Sequence, residues 1–517
     1  MNSSTKVIIN TMSLYLNMVV TLAVQLIALR LIIRAMGDVD YALYTIVGGS
    51  IIALLSFMNV AMSAATQRFL SYAIGEDNNV LLKETFYISI VLHLVIGVFI
   101  ILLLEGVGLY YVHNILIAPS ARIESAAILL HCITVSTFLN IVTVPYEADI
   151  NANENMTVIA LINIFDSLMR LVTATYLLIT PYDKLVVFGI LTMSSQIITL
   201  LNKRIYCLLK YEESHIRWHA IKDFKLIRDI SSFAMWNLIG TGCSAARYQG
   251  TPMIMNRFFG IIINAAYGVA QQVNGLLLFF ANTIVRAVRP QIVKSEGAGN
   301  RERMLRLSVT TCRISSLMVA MLAIPLFVEM ELVLRLWLGK IPDDNCVSFC
   351  RCFLVIVFIN QLTIGLQIAI ESVGKIKTLQ YVVGTMHILA LPLGWLCYKI
   401  GMPAVSIMLC IIIEEILAIF VRTYLAKKLT GLNPVEFLLH TILPCSLAVV
   451  LIWASVSCVA LLFDAHSISR MAIVIFIAIV LISSAAYFLL LTETEKVAIK
   501  GLASLIKNKI SKRNIIL

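Results

Sequence analysis

Arginine residues interrupt several otherwise apolar stretches of the sequence. Arg30 and Arg34 are four residues apart, which places them on one face of a helix. Arg247 lies in the middle of another apolar run, and Arg68 and Arg289 lie toward the ends of two more. An arginine inside a bilayer needs a charged partner or a wet cavity, and its planar guanidinium binds phosphate through paired hydrogen bonds. These five residues therefore predict a basic cavity that binds an anionic, diphosphate-containing substrate. Two alternatives stay open: Arg34 is close enough to a span end to extend to the membrane boundary, and Arg289 could be a simple cytoplasmic-side charge.

Acidic residues are rarer inside the apolar runs. Asp166 comes four residues before Arg170, and this spacing predicts an ion pair along one helix face. Glu414 and Glu415 are enclosed by apolar sequence, and Glu371 closes another apolar run. We therefore take Asp166, Glu371, Glu414 and Glu415 as the candidate sites for a coupling ion, either Na⁺ or H⁺.

Neither catalytic residues nor a bound metal or organic cofactor is predicted. The sequence contains no P-loop, no HExxH and no GxSxG. His93, His131 and His387 are isolated, no metal-ligand spacing links them, and we predict that they are packing residues. The 11 cysteines include no CxxC pair, which argues against a disulfide or metal framework. The protein is therefore not expected to be an enzyme.

The composition indicates that membrane-spanning helices position these residues. Of the 517 residues, 60% are hydrophobic and only 13% are charged, which excludes an ordinary soluble domain. Because one helical span needs about 20 apolar residues, fourteen spans of roughly 22 would use about 60% of the chain. Little sequence is left for a large extramembrane catalytic module. We predict an all-α polytopic membrane protein.

Fourteen apolar segments are separated by polar breaks in the sequence. They are 8–34, 42–71, 85–111, 124–147, 156–180, 185–209, 229–258, 262–292, 304–338, 346–372, 378–399, 404–425, 437–462 and 470–491. With the N-terminus inside, 26 Lys and Arg residues fall on the cytoplasmic side and eight on the outer side. Because Lys and Arg accumulate in cytoplasmic loops, we predict that both termini are cytoplasmic. The net charge of +11 then reflects topology, and nucleic acid is not expected as a partner.

An internal repeat divides the chain into two halves. Shifting the sequence by 223 positions aligns 34–59 with 257–282 and gives eight identities in 26 positions without a gap. Six spans separate the copies, so both have the same orientation. This arrangement is typical of transporters whose two lobes are related by a pseudo-two-fold axis along the membrane normal.

The repeat and the spans together predict the domain organisation. An N-lobe of six spans covers 1–210, and a basic cytoplasmic linker covers 211–228. A C-lobe of six spans covers 229–428, two extra helices cover 429–491, and a basic cytoplasmic tail covers 492–517.

Several stretches of the sequence carry a resemblance to a known family. They are Tyr41–Phe69, Pro145–Met156, Phe233–Gly250, Asn256–Gly268 and Pro290–Lys294. The chain resembles the multidrug/oligosaccharidyl-lipid/polysaccharide exporter superfamily, and most of all its Wzx-type polysaccharide repeat-unit flippases of the Bacteroides-like branch. The likeness covers most of residues 1–430.

This resemblance implies a fold, a substrate and a location. The family fold has fourteen helices in two six-helix lobes plus two extra helices, and the lobes enclose a cationic cavity and alternate access. The implied function is export of an undecaprenyl-diphosphate-linked oligosaccharide across the bacterial inner membrane for O-antigen, capsule or exopolysaccharide synthesis. The implied partners are this lipid-linked substrate, membrane lipid and the polysaccharide polymerase machinery.

Two other functions compete with this hypothesis. A cation-coupled multidrug antiporter of the related exporter type would bind cationic compounds and commonly uses an acid in the first helix. The first span here has two arginines and no acid, which favours an anionic cargo. A membrane glycosyltransferase or polymerase-ligase would need a sizeable outer loop, whereas the longest predicted outer loops have only about ten residues.

Overall fold

The computed structural model describes residues 3–116, 118–216, 223–339, 341, 343–463 and 467–490, and helices and their connections form this described part of the chain. The helices are α1 (Ser3–Tyr44), α2 (Ser50–Gly75), α3 (Asn79–Leu103), α4 (Leu109–Asn114), α5 (Ile123–Ala152), α6 (Met156–Ile179), α7 (Lys184–Lys210), α8 (Phe224–Phe259), α9 (Ile261–Gly297), α10 (Arg301–Leu338), α11 (Asn345–Gln361), α12 (Ile364–Val373), α13 (Lys377–Lys399), α14 (Ser406–Thr430), α15 (Pro434–Phe437), α16 (Leu443–Ala460) and α17 (Ile468–Ala485). The predicted tail, 492–517, lies outside the described residues, as does part of the predicted linker.

Each predicted apolar segment overlaps one helix or a consecutive pair of helices. Ten of the described helical segments are long and apolar enough to cross a membrane, or eleven when α11 and α12, bent by 43°, count as one span. Among the described residues, the criteria of length and apolarity therefore identify fewer spans than the fourteen that the sequence predicts. In α14 the reason is local, because Glu414, Glu415 and Arg422 interrupt its apolar sequence.

Polar side chains define where several helices begin. The Asn78 side chain accepts a hydrogen bond from the Leu81 amide at the start of α3, at 3.0 Å. Asn300 caps α10 in the same way through the Arg303 amide, at 2.9 Å. Such caps satisfy amides that have no partner within the first helical turn. Asp183 caps α7 through the amide of Leu185, at 3.0 Å.

The described residues form two compact units. The N-terminal unit contains Ile9–Gly242 together with Val293–Gly299. The C-terminal unit contains Cys243–Ile292, the described residues from Asn300 onward and the short segment 3–8. The division falls within α8 and near the end of α9. The lobe boundaries drawn from the repeat stay a prediction.

Helix α5 is at the centre of the N-terminal unit. It packs against α2, α3, α6 and α7. Its buried residues are mostly small or aliphatic, with Ala126, Leu129, Ile141 and Ala148 almost fully enclosed. Small residues allow the neighbouring helices to approach closely, as is common within membranes.

Helix α10 has the same central place in the C-terminal unit. It packs against α11, α12, α16 and α17, while α14 packs against α11, α12 and α13. Glu329 of α10 accepts a hydrogen bond from Arg470 of α17 at 2.7 Å. The two C-terminal helices are thus attached to α10 by apolar packing and by one ion pair.

Candidate functional site

The C-terminal unit contains a buried network of charged side chains, which we call the α14 network. It consists of Arg247 on α8, His387 on α13, and Glu414, Glu415 and Arg422 on α14. All five side chains are almost completely buried. Buried charges are unfavourable unless they are paired and hydrogen-bonded, so their mutual contacts are what make this arrangement tenable.

Arg247 bridges the two adjacent glutamates. Its Nη1 donates a hydrogen bond to Glu414 Oε2, and its Nη2 donates one to Glu415 Oε1 at 3.1 Å. A guanidinium can do this because its donors diverge in one rigid plane. Arg247 is only 4% exposed, so its ion pairs with both glutamates are shielded from water.

Arg422 gives Glu415 a second cationic neighbour. Its Nη2 lies 3.7 Å from Glu415 Oε2, and its Nη1 donates to Thr363 Oγ1 at 3.0 Å. Asn360 Nδ2 also donates to Glu415 Oε2, at 3.3 Å. Asn360 is in α11 and Thr363 lies at the bend between α11 and α12. The network therefore connects α14 to this bend.

His387 is next to the network's other glutamate. Its Nδ1 lies 3.0 Å from Glu414 Oε1. The prediction that His387 is an isolated packing residue is therefore wrong, because α13 and α14 bring it to Glu414. With His387 neutral, the two arginines and the two glutamates balance in charge. A proton on His387 would add one positive charge beside Glu414.

The network contains a group of side chains with the spacing of a cation site. Ligand atoms of His387, Glu414 and Glu415 lie within 4.8 Å of one another, a spacing that can hold a cation. Both carboxylates also accept a hydrogen bond from Arg247, each through one of its oxygens. A cation bound there would share these carboxylates with the guanidinium.

Glu371 is paired with one of the predicted cavity arginines. Arg289 Nη1 lies 3.2 Å from Glu371 Oε2, and Gln367 Nε2 donates to Glu371 Oε1 at 3.0 Å. The structure thus brings a predicted substrate-binding residue and a predicted ion-coupling residue together across α9 and α12.

The predicted arginines of the N-terminal unit have two different environments. Arg30 and Arg34 are exposed on α1, and within the described part of the chain neither has a hydrogen-bond or ion-pair partner. The Arg68 guanidinium carbon lies 4.5 Å from the ring centroid of Phe69 and 4.9 Å from that of Tyr72. These distances allow cation–π attraction. Arg68 is thus embedded among aromatic rings, whereas Arg30 and Arg34 are open.

The predicted ion pair on α6 is confirmed. Arg170 Nη2 lies 3.9 Å from Asp166 Oδ2. Asp166 also accepts hydrogen bonds from Ser195 at 2.8 Å and from Thr199 at 3.1 Å, both on α7. Residues of the same unit therefore neutralise the charge of Asp166 and donate hydrogen bonds to its carboxylate.

Sequence reasoning missed part of the α14 network. Arg422 lies seven residues after Glu415, a spacing that puts both on one helix face and could have indicated their contact. Asn360 and Thr363 carry no such signal. Diphosphate binding by Arg247 stays a prediction, and in this structure its guanidinium is engaged by two carboxylates.

Comparisons with known proteins give similarity in structure but not in sequence. No protein-family model matches the chain. No curated protein matches its sequence. The crystal structure of a MATE mutant superposes with a TM-score of 0.71 at 12% identity, covering 84% of this chain and 98% of its own.

Two further solved structures are similar. An outward-facing multidrug resistance MATE family transporter of the MOP superfamily has a TM-score of 0.71 at 12% identity, covering 83% of this chain and 96% of its own. A MOP superfamily transporter from Pyrococcus furiosus has a TM-score of 0.70 at 11% identity, covering 84% of this chain and 97% of its own. The latter is described as having a binding pocket of reversed polarity that suggests a different function.

These similarities define the class of fold. The chain has the all-α fold of the MATE transporters of the MOP superfamily, over more than four-fifths of its length. The predicted all-α polytopic fold is thereby confirmed. Together with the many apolar helices of the described residues, the fold is that of a multi-pass membrane protein.

Proposed function

We propose that this protein is a flippase that moves an undecaprenyl-diphosphate-linked oligosaccharide across the bacterial inner membrane by alternating access. Its product would supply the synthesis of surface polysaccharide. The observation that carries this proposal is the pair of open arginines, Arg30 and Arg34, on a first helix whose apolar span has no acid.

Arg30 and Arg34 have the geometry of an anion site. Residues four apart on a helix have Cβ atoms about 5–6 Å apart, so two guanidiniums can approach one diphosphate together. Each guanidinium can donate two parallel hydrogen bonds to phosphate oxygens. Because the described residues offer these two arginines no carboxylate, a mobile anion is the counter-charge that they lack.

Arg68, Arg247 and Arg289 are the other arginines proposed to bind the diphosphate, at a later stage of the cycle. Arg247 and Arg289 are held by carboxylates in this structure. A diphosphate could bind these two arginines only after the carboxylates release their guanidinium groups. Protonation removes the negative charge of a glutamate, which weakens its hold on an arginine.

The α14 network supplies a route for such coupling. A proton taken up by His387 or Glu414 would loosen Arg247 and make its guanidinium available to an anion. Glu415, Glu371 and Asp166 are the other acids proposed to take part. Under this proposal the coupling ion is H⁺, because a proton on a carboxylate removes the charge that holds Arg247.

A cation-coupled multidrug antiporter is the second candidate function. It is favoured by the similarity to a multidrug resistance MATE transporter. Such a protein would bind organic cations, which Arg30 and Arg34 would repel. The two proposals therefore predict opposite charge preferences for the same helix.

The test measures binding of two lipophilic probes to the purified protein in nanodiscs. The probes are undecaprenyl diphosphate and tetraphenylphosphonium. We expect the wild type to bind the diphosphate and the Arg30→Gln/Arg34→Gln variant to bind it at least about tenfold more weakly, since each lost charged hydrogen bond costs ~1.5–3 kcal/mol.

Arg257 provides a matched control. It is also exposed and aligns with Arg34 in the internal repeat, but it lies on α8. Arg257→Gln should leave diphosphate affinity within about twofold of the wild type, less than about 0.5 kcal/mol. Binding of tetraphenylphosphonium without binding of undecaprenyl diphosphate would reject the flippase and support the antiporter.

A further inference from the structure

The N-terminal unit contains a partly open cavity of about 480 Å³. Residues of α1, α5, α6 and α7 line it, and its size is that of a small-molecule pocket. The cavity is separate from the α14 network, which belongs to the other unit. Polar side chains form part of its lining.

Three side-chain amides line the cavity. They belong to Gln25 on α1, Asn140 on α5 and Gln196 on α7. In the described part of the chain, none of the three has a hydrogen-bond partner for its side chain. Each amide offers two donors and one acceptor oxygen. Groups of this kind match a hydroxyl, which both donates and accepts.

Two tyrosines add an aromatic wall. Tyr41 and Tyr44 line the cavity, with ring centroids 6.3 Å apart. The Tyr44 ring packs edge-on against Phe188 at 4.9 Å, which fixes its orientation. A rigid aromatic ring with a polar tip suits a ligand that has both apolar and hydroxyl-bearing surfaces.

The cavity is balanced in charge. Asp166 and Arg170 both line it, and they form an ion pair with each other. Ser195 donates to Asp166, which further satisfies the carboxylate. The cavity therefore offers no uncompensated charge to a diphosphate or to an organic cation. Its free hydrogen-bonding capacity includes the three neutral amides.

From these observations we infer that the cavity is a saccharide subsite, which holds one or two uncharged sugar residues of the cargo. This inference rests on the proposed function, because the sugars arrive attached to the lipid diphosphate. Gln25, Asn140 and Gln196 bind sugar hydroxyls, and Tyr41 and Tyr44 contact the apolar face of a sugar ring. The diphosphate site on α1 supplies affinity for every cargo, and this cavity adds affinity for the glycan.

The experiment compares a bare lipid with glycosylated lipids. Dissociation constants are measured by native mass spectrometry for undecaprenyl diphosphate and for the same lipid carrying glucose, galactose or N-acetylglucosamine. We expect the wild type to bind at least one glycosylated lipid about tenfold more tightly than the bare lipid. In Asn140→Leu/Gln196→Leu this preference should disappear, while affinity for the bare lipid is unchanged.

Asn163→Leu is the matched control, because Asn163 lies on α6 in the same unit but does not line the cavity. It should keep the full preference. Thermal unfolding of each variant shows whether it is folded. If Asn140→Leu/Gln196→Leu is not folded, the milder Asn140→Ser/Gln196→Ser replaces it in the binding measurements.

Three results would overturn the subsite. The first is equal wild-type affinity for bare and glycosylated lipids, and the second is a preference retained in the folded cavity variants. Both results are compatible with the proposed flippase function, since the bare lipid still binds. The third is binding of tetraphenylphosphonium that Asp166→Asn abolishes, which would make the cavity a cation site. Failure of the wild type to bind any of the lipids would instead reject the proposed function.

Discussion

Gly37 and Gly260 break their helices with backbone φ angles of 72° and 80°, respectively. They are 223 residues apart, the offset that the repeat in the sequence predicts. At Gly37 α1 changes direction, and at Gly260 α8 gives way to α9. The two units thus repeat the same local break at a pair of glycines that the sequence repeat aligns.

Replacing either glycine should destabilise the protein through backbone strain alone. A Cβ at Gly37 or Gly260 would meet no atom within 4 Å, so packing would not oppose it. Residues other than glycine rarely adopt such φ angles, and holding them there costs about 1–3 kcal/mol. Gly37→Ala and Gly260→Ala should therefore lower the thermal unfolding temperature of the purified protein.

Gly268→Ala is the control for this prediction. Gly268 lies within α9, and its Cβ would also meet nothing within 4 Å. Because alanine is favoured over glycine inside a helix by ~1 kcal/mol, this change should be neutral or stabilising. Equal behaviour of all three variants would contradict the assigned role of the two breaks.

The helices themselves were predictable because the apolar runs are long and their breaks are polar. The turn before α3 and the turn before α10 could be read from Asn78 and Asn300, which are common N-cap residues. The 43° bend between α11 and α12 could not be predicted, because it falls inside one continuous apolar segment. The residues beside the bend, Asn360 and Thr363, contact Glu415 and Arg422 of α14, which are remote in sequence.

The sequence predicts which charged residues belong to the site, but not which of them form ion pairs with one another. Asp166 and Arg170 are neighbours on one helix, so their spacing alone predicts their contact. Arg247 and Glu414 are 167 positions apart, and only the packing of α8 against α14 brings them together. Sequence spacing carries no information on such contacts, so the sequence also does not predict the contact between His387 and Glu414.

Arg247 should be essential for stability as well as for transport. Arg247→Ala would leave Glu414 and Glu415 buried without their shared guanidinium. Removing one partner of a buried ion pair typically costs about 3–5 kcal/mol. We expect poor expression or a markedly lower unfolding temperature for this variant, measured by thermal unfolding in detergent.

A neutral network should separate folding from function. In Arg247→Met/Glu414→Gln the remaining Glu415 still has Arg422 beside it, so no buried charge is left unpaired and most of the lost stability should return. Proton-driven transport in proteoliposomes should nevertheless be lost, because the variant has neither the Arg247 guanidinium nor the Glu414 carboxylate that holds it. A double variant that transports as fast as the wild type would show that the pairing of Arg247 with Glu414 is only structural.

Stability in acid should depend on Asp183, which lies in the loop between α6 and α7. Burial tends to raise the pKa of Asp183, but hydrogen bonds from Ser125 and from the Arg122 guanidinium outweigh it and lower the pKa. A lowered pKa in the folded state means that ionised Asp183 stabilises the fold above its unfolded pKa of about 3.9. This contribution is lost as pH falls through the folded-state value.

Asp183→Asn provides the comparison for this pH effect. Asparagine keeps an acceptor for the α7 cap but has no carboxylate to pair with Arg122. Near neutral pH the variant should unfold at a lower temperature than the wild type. Below about pH 4 the difference should shrink, because the wild-type carboxylate is then increasingly protonated. A constant difference from about pH 7 down to about pH 3 would show that the ion pair contributes nothing.

Lysine substitutions on α1 should separate the charge of the proposed diphosphate site from its geometry. Arg30→Lys/Arg34→Lys keeps two positive charges but loses the planar forks that bind two phosphate oxygens at once. Its affinity for undecaprenyl diphosphate should therefore fall between those of the wild type and of Arg30→Gln/Arg34→Gln. Raising the salt concentration should weaken binding to the lysine variant, because charge–charge attraction is screened by ions. If the lysine and glutamine variants bind equally weakly, the geometry of the guanidinium groups determines the affinity. If the lysine variant binds like the wild type, charge alone is sufficient and the paired hydrogen bonds are not needed.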